Sequence, residues 1–330
     1  MKLDLREWAL RSTWLRAVVP LAIVLVLGLV FNGDGAFFEW STHRALFREI
    51  AVLGILACGM TVVIVSGGID LSVGSLLGLA AVASALFTLP FGMSGPVALA
   101  LVALGGALLG SVSGLLVAVG RIQAFIATLS MMVFARGLSK EISLGQKITN
   151  YVRGADGGER VVEYPAWFSV LDSRVLGDNI AVVTLVFAVV AGLSWVVLER
   201  LRAGRYLYAV GGNAEGARLA GVPVRKTLVF AYGFSGFSAA IAGICQAAQE
   251  KQGDPETGGG YELEAIAMVV LGGTSLAGGR GGVGLTLIGA LTLGYLQKVL
   301  SLNAFSTEAR LMLTGAIIVF AVLFQKQRED

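Results

Sequence analysis

The sequence predicts an all-α, polytopic membrane protein of about ten transmembrane helices. Three observations predict it. Of 330 residues, 56% are hydrophobic and 14% charged, against roughly 25% charged in soluble domains. A further 45 residues are Gly, and only six are Pro. Apolar runs near 20 residues recur along the whole length, the span an α-helix needs to cross about 30 Å of hydrocarbon. Too little polar surface remains to cover a water-soluble globule, and too much is apolar for a disordered chain.

Residues 1–13 carry Lys2, Arg6 and Arg11 with Leu5, Trp8 and Ala9 at helical spacing, predicting a cytoplasmic segment lying on the bilayer. A single membrane domain, 14–325, follows. The first span is 14–31, retained and not a cleaved signal. Residues 32–45 read as a polar connector holding the single histidine, His43. The second span, 46–66, breaks at Ser66-Gly67-Gly68-Ile69-Asp70, and a third runs from 71 to 89. After the turn at Pro90 to Pro96 come a fourth span, 97–119, and a short fifth, 123–138, with Gln123, Thr128, Ser130 and Arg136. Residues 139–178, with five Lys/Arg and six Asp/Glu, are too polar to span. Their aromatic patch Tyr164-Pro165-Ala166-Trp167-Phe168 predicts an interfacial or short helical segment. The sixth span is 179–198, the loop 199–227 follows, and the seventh span is 228–248. The eighth is 263–279, the ninth 283–300 and the tenth 310–325, with 326–330 a charged tail.

Ten spans leave both termini on one side. Loop 199–227 holds Arg200, Arg202, Arg205, Arg218, Arg225 and Lys226 against Glu199 and Glu215. Basic residues beside span ends face the cytoplasm, which puts this loop and both termini there and 139–178 outside. Small residues at four-residue spacing, Gly74/Gly78 and Gly106/Gly110/Gly114, predict helices in close backbone contact. Ser66-Gly67-Gly68 with Gly78 also aligns with Ala277-Gly278-Gly279 and Gly289, too few matches in a Gly-rich chain to establish a repeat.

Enzyme chemistry finds little footing. Cys58 and Cys245 sit inside apolar runs as small hydrophobes, and one histidine makes neither a triad nor a metal site. No G-x-x-x-x-G-K-[ST] is present, so the chain has no P-loop. Residues 279–284 match G-x-G-x-x-G but join two spans and follow no soluble strand, so they read as a tight turn. Net charge +3 argues for no nucleic-acid partner. Span interiors are nearly free of ionisable residues, unlike proton- or ion-coupled carriers. A neutral solute driven from outside the membrane fits better.

The sharpest local signal is 211–223. Asn213 is a good N-cap, Glu215 and Arg218 suit the helix dipole, and Gly221 with Pro223 supplies the stop. A helix over 214–220 is thereby specified. Two turns are not stable alone, so it packs on its own membrane domain or docks on a partner. The stretch 204–222, Gly-Arg-Tyr-Leu-Tyr-Ala-Val-Gly-Gly-Asn-Ala-Glu-Gly-Ala-Arg-Leu-Ala-Gly-Val, resembles the cytoplasmic loop of membrane subunits of ATP-binding-cassette importers, in the ribose/xylose/branched-chain amino acid permease family. Residues 67–75, Gly-Gly-Ile-Asp-Leu-Ser-Val-Gly-Ser, the stretch 125–129, Phe-Ile-Ala-Thr-Leu, and 264–273, Glu-Ala-Ile-Ala-Met-Val-Val-Leu-Gly-Gly, are similar to three further family elements. Gly-Gly before Asn213, Ala124 where Pro is common, and the polar length of 150–165 depart from the family pattern.

The resemblance implies an architecture like the vitamin-B12 importer (type II). It implies two membrane subunits, two cytoplasmic ATPase subunits that hold ATP-Mg, and a periplasmic solute-binding protein. This chain would itself hold no cofactor and no metal. Asn213, Ala214, Glu215, Gly216, Ala217, Arg218, Leu219, Ala220 and Gly221 would form the coupling helix. Asp70 reads as the cap of the third span or as a gate residue, with Ser72 beside it. Gln123, Phe125, Thr128, Ser130, Gln246 and Gln249 are candidates to line the pathway or to bond between helices. The Gly-Gly-Ile-Asp form resembles sugar permeases, so a monosaccharide is expected, with a branched-chain amino acid or a stand-alone carrier or channel as alternatives.

Overall fold

A computed structural model describes residues 13–153 and 158–326. Most of the expected interfacial segment 1–13 and of the tail 326–330 lies outside them. Helices appear at all ten expected places: α1 (Thr13–Val30), α2 (Trp40–Val65), α3 (Val73–Thr88), α4 (Gly95–Ala118), α5 (Ala124–Ile142), and α7 (Val182–Trp195) extended by a π-helical turn (Val196–Arg200). Then come α10 (Val224–Glu250), α11 (Tyr261–Leu271), α12 (Val283–Leu302) and α13 (Thr307–Lys326). Between these lie the short helices α6 (Ala166–Asp172), α8 (Arg202–Gly212) and α9 (Ala214–Leu219).

Among the described residues, five helices are long and apolar enough to cross a membrane: Trp40–Val65, Gly95–Ala118, Val182–Arg200, Val224–Glu250 and Val283–Leu302. Ala17–Val30 and Val73–Thr88 are shorter apolar helices. This is a mostly helical, multi-span membrane fold.

Several boundaries differ from the expectation. The connector 32–45 is shortened to 32–39, because α2 begins at Trp40. His43 is therefore helical, with Nδ1 3.1 Å from Tyr295 Oη and its ring against Phe37 and Trp40. The eighth span does not reach 279. α11 ends at Leu271 after 11 residues, and Gly273, Gly278 and Gly279 take positive φ, which no helix can continue through. At about 1.5 Å per residue, α11 extends roughly 16 Å, short of the hydrocarbon thickness. The loop 199–227 is mostly helical: Gly204, Leu207 and Val210 are buried at three-residue spacing along α8, giving it one inward stripe. The fold is also not purely α. In the polar segment, β1 (Tyr151–Arg153) pairs antiparallel with β2 (Glu159–Val161), Val152 opposite Arg160, and β3 (Arg174–Val175) with β4 (Ile180–Ala181). The aromatic patch forms α6, where Trp167 and Phe168 stack and are buried.

The core forms around α2, whose residues from Ile50 to Val65 are buried apart from Leu53. α10 crosses α4, α3 and α2, most extensively α4. Small residues permit that approach. A Cβ on Gly110 would lie 2.2 Å from Tyr232 O, and one on Gly106 2.5 Å from Gly236 O. Backbone is in contact with backbone, so dispersion replaces the hydrophobic effect lost in lipid. Gly74 and Gly78 differ from the expectation, since they meet the carbonyls of Gly258 and Thr257 in a loop, not a helix. Thr61 and Thr286 hydroxyls pair at 2.7 Å between α2 and α12.

Candidate coupling site

α9 is held by caps at both ends. Asn213 has extended backbone, and its Oδ1 accepts the Gly216 N–H at 2.8 Å. At the far end Gly221 takes φ +82°. Its N–H donates to Arg218 O at 3.0 Å, and Val222 N–H donates to Ala217 O at 2.9 Å. These two bonds satisfy carbonyls the last turn would otherwise leave open. Cap and stop therefore stand where the sequence puts them. Arg218 grips Glu215 by Nε at 2.9 Å and Nη2 at 2.6 Å. That hydrogen bond, and then the charge of Arg218, hold the Glu215 carboxyl below its usual range. Ala217 alone is buried in α9, while Leu219 is 74% exposed. A short helix thus presents a bare leucine beside a fixed charge pair.

What α9 stands on is the feature the sequence did not disclose. Glycines from three stretches distant in the chain, Gly67, Gly211-Gly212 and Gly278-Gly279, converge at its N-terminal side. A Cβ on Gly211 would lie 1.9 Å from Val65 O and 2.6 Å from Gly279 N. A Cβ on Gly278 would meet Gly67 Cα at 2.8 Å, and one on Gly279 would meet Gly212 Cα at 2.8 Å. Gly279 N–H donates to Val65 O at 2.9 Å. Hence the end of α2, the end of α8 and the turn before α12 touch backbone to backbone. Tyr208 adds a strut, its hydroxyl donating to Gly281 O at 2.9 Å. Burial, and next the charge of Glu199, push that hydroxyl up to about 12, so it stays a donor. The signal available was the alignment of 66–68 with 277–279. These stretches are contact partners.

Asp70 stands just before α3 without being its N-cap. It is fully buried, and its Oδ1 accepts Ser72 N–H at 2.9 Å and Ser72 Oγ–H at 2.5 Å. Ser72, not Asp70, is the N-cap residue of α3, and Asp70 secures it from two residues before. Tyr232 and Ser235 of α10 lie beside Asp70, and all three side chains are buried. Thr128 joins this neighbourhood, its Oγ1 reaching Ile69 O at 3.4 Å.

The other candidates are dispersed. Gln123 is the exposed N-cap residue of α5, Phe125 is 51% exposed, and Ser130 bonds its own turn through Ile126 O at 2.8 Å. Gln246 donates to Glu250 at 2.6 Å, and Gln249 reaches Arg48 O at 3.5 Å. These two lie 11 and 14 residues along α10 from Ser235, roughly 16–21 Å away. Asp70, Ser72 and Thr128 are gathered; Gln246 and Gln249 are not with them. Arg136 bonds Pro255 O and, at 2.8 Å, Thr257 O, pinning the loop before α11.

The chain is 39% identical over 311 residues to the ribose import permease of Escherichia coli K12, covering 94% of this chain and 93% of that protein. It is 36% identical over 318 residues to the fructose import permease of Rhizobium meliloti, covering 93% and 84%. It is 31% identical over 363 aligned positions to the xylose transport system permease of Escherichia coli K12, covering 95% and 92%. No solved structure matches. Residues 44–322 match the family model described as branched-chain amino acid transport system / permease component, and the chain belongs to that family.

Proposed function

We propose that this chain is the permease subunit of an ATP-binding-cassette importer that moves a monosaccharide across the bacterial inner membrane. Residues 14–325 act as one membrane domain of ten spans with both termini cytoplasmic, in a type II arrangement with a second permease subunit. A periplasmic binding protein delivers the solute on the side of 139–178. The relatives named for ribose, fructose and xylose support a sugar. So does the interior: among the described residues Asp70 is the one buried acidic or basic side chain, and buried hydroxyls of Ser, Thr and Tyr232 supply most of its polar groups, which suits a neutral, hydroxyl-bearing solute.

One observation carries the coupling role. α9 exposes Leu219 yet is fastened through Gly211 and Gly212 to the ends of α2 and the turn leading into α12. A push on α9 therefore moves core helices, not a loose loop. ATP-Mg would be held by the partner ATPase, and its motion would enter at 213–221. The alternating access that follows needs no chemistry in this chain.

The test is co-purification of the membrane-expressed chain with a cassette ATPase encoded beside it, wild type against Leu219→Asp. Burying three-quarters of a leucine contributes about 1–2 kcal/mol, and a buried unpaired carboxylate costs several more. Loss of at least 100-fold in retention is expected, with the fold intact because Leu219 is mostly exposed. Equal retention would remove α9 as the dock. A wild type that binds no such ATPase would favour a stand-alone carrier.

A further inference from the structure

We propose that the groove between α4 and α10 is a binding site for one anionic phospholipid. The groove is open along one side and offers about 730 Å³, within the range of ligand pockets. Its walls are Leu115 and Val119 of α4 and Phe230, Phe234 and Phe237 of α10. The hydroxyl inside it, Ser111 Oγ, is already spent on Ala107 O at 2.7 Å. No polar solute finds a free partner along the walls.

One end is different. Arg225 and Lys226 close it, both exposed, and neither has an ion pair among the described residues. They occupy the first turn of α10, where the helix dipole also favours an anion. The occupant must therefore be apolar along its length and anionic at one end. Length narrows it further. From Arg225 to Phe237 is 12 residues, roughly 18 Å along the helix, close to the ~15 Å of one leaflet. A phosphate on Arg225 and Lys226 places an acyl chain on the phenylalanines without stretching or folding. The site begins three residues after Val222, so a lipid there stands beside the capped end of α9. The inference rests on the groove lying at membrane depth and not on the solute or the ATPase.

The experiment is native mass spectrometry of the full chain in mild detergent, with phosphatidylglycerol and phosphatidylcholine of identical chains added in competition. The wild type should retain phosphatidylglycerol preferentially at one site. The double variant Arg225→Gln, Lys226→Gln should lose that preference roughly 25-fold, at about fivefold per basic group beside an anionic lipid. Leu115→Trp should fill the groove and lose the bound lipid. Leu115 is 48% exposed, so its melting temperature should match the wild type. Arg202→Gln, an exposed arginine outside the groove, should change nothing. Equal retention of the two lipids by the wild type overturns the proposal. So does an Arg202→Gln loss as large as the double variant's, which would mean a diffuse surface field. Displacement by millimolar inorganic phosphate would indicate a free-anion site, and a changed oligomeric state in Leu115→Trp with lipid retained would give the groove to a second copy. None of these readouts involves transport, so failure here is distinct from failure of the importer assignment.

Discussion

Gly211→Ala tests the mechanical link between α9 and the core. The added Cβ would sit 1.9 Å from Val65 O and 2.6 Å from Gly279 N. Ordinary contact needs about 1.5 Å more on the first of these, and both obstacles are backbone. The wedge falls on the atoms of the Val65–Gly279 hydrogen bond. Overpacking costs about 1–3 kcal/mol, and the lost bond adds about 0.5–1.5. A total near 2–4 kcal/mol is expected. For a chain this long the unfolding entropy is on the order of 0.7 kcal/mol/K, so the melting temperature should fall by about 3–6 °C. The control is the adjacent Gly212→Ala. Nothing lies within 4 Å of a Cβ there, and Gly to Ala in a helix stabilises by about 0.5–1 kcal/mol. Thermal unfolding in detergent and solute uptake in proteoliposomes are the two assays. Gly211→Ala should melt below Gly212→Ala and uncouple ATP hydrolysis from uptake. If the two variants melt together, the glycine contact does not bear on the fold. If Gly211→Ala melts low but transports normally, it does not carry coupling.

Three further outcomes are expected. Asn213→Ala removes the side-chain cap of α9 and should cost about 0.5–2 kcal/mol locally, read as faster amide exchange over 215–218 with the rest of the chain unchanged. Asp70→Asn keeps an acceptor for Ser72 at nearly the same volume, so stability should hold. Asp70→Leu leaves the Ser72 donors open and should cost about 1–3 kcal/mol, and equal melting of the two variants would deny the capping role. Because the folded-state Glu215 carboxyl is held low, its pair with Arg218 is present above the usual value of 4.5 and lost as pH falls through the lowered value. Protection of α9 amides, corrected for intrinsic exchange, should be level from pH 8 to 5 and decline only below; a rise on acidification would reverse the assigned sign.

The chain's own order of residues determined the local features. Apolar runs marked where helices form because a helix satisfies its own backbone hydrogen bonds in lipid. Asn213, Gly221 and Pro223 delimited α9 because capping involves residues within four positions of one another. Boundaries failed where the sequence looks alike on both sides of a stop: hydropathy carries the eighth span to 279, but the positive φ of Gly273 ends it, and hydropathy does not register φ. Only the tertiary structure decided which glycines meet. Gly67, Gly211 and Gly278 lie 144 and 67 residues apart, and each is an unremarkable glycine among 45 until α2, α8 and the turn before α12 are brought together. The same holds for the scattered glutamines of α10, which share a helix with Ser235 and lie far from Asp70. Contact between backbones leaves no trace in residue type beyond smallness, so the sequence shows which glycines permit close approach but not which partners approach them.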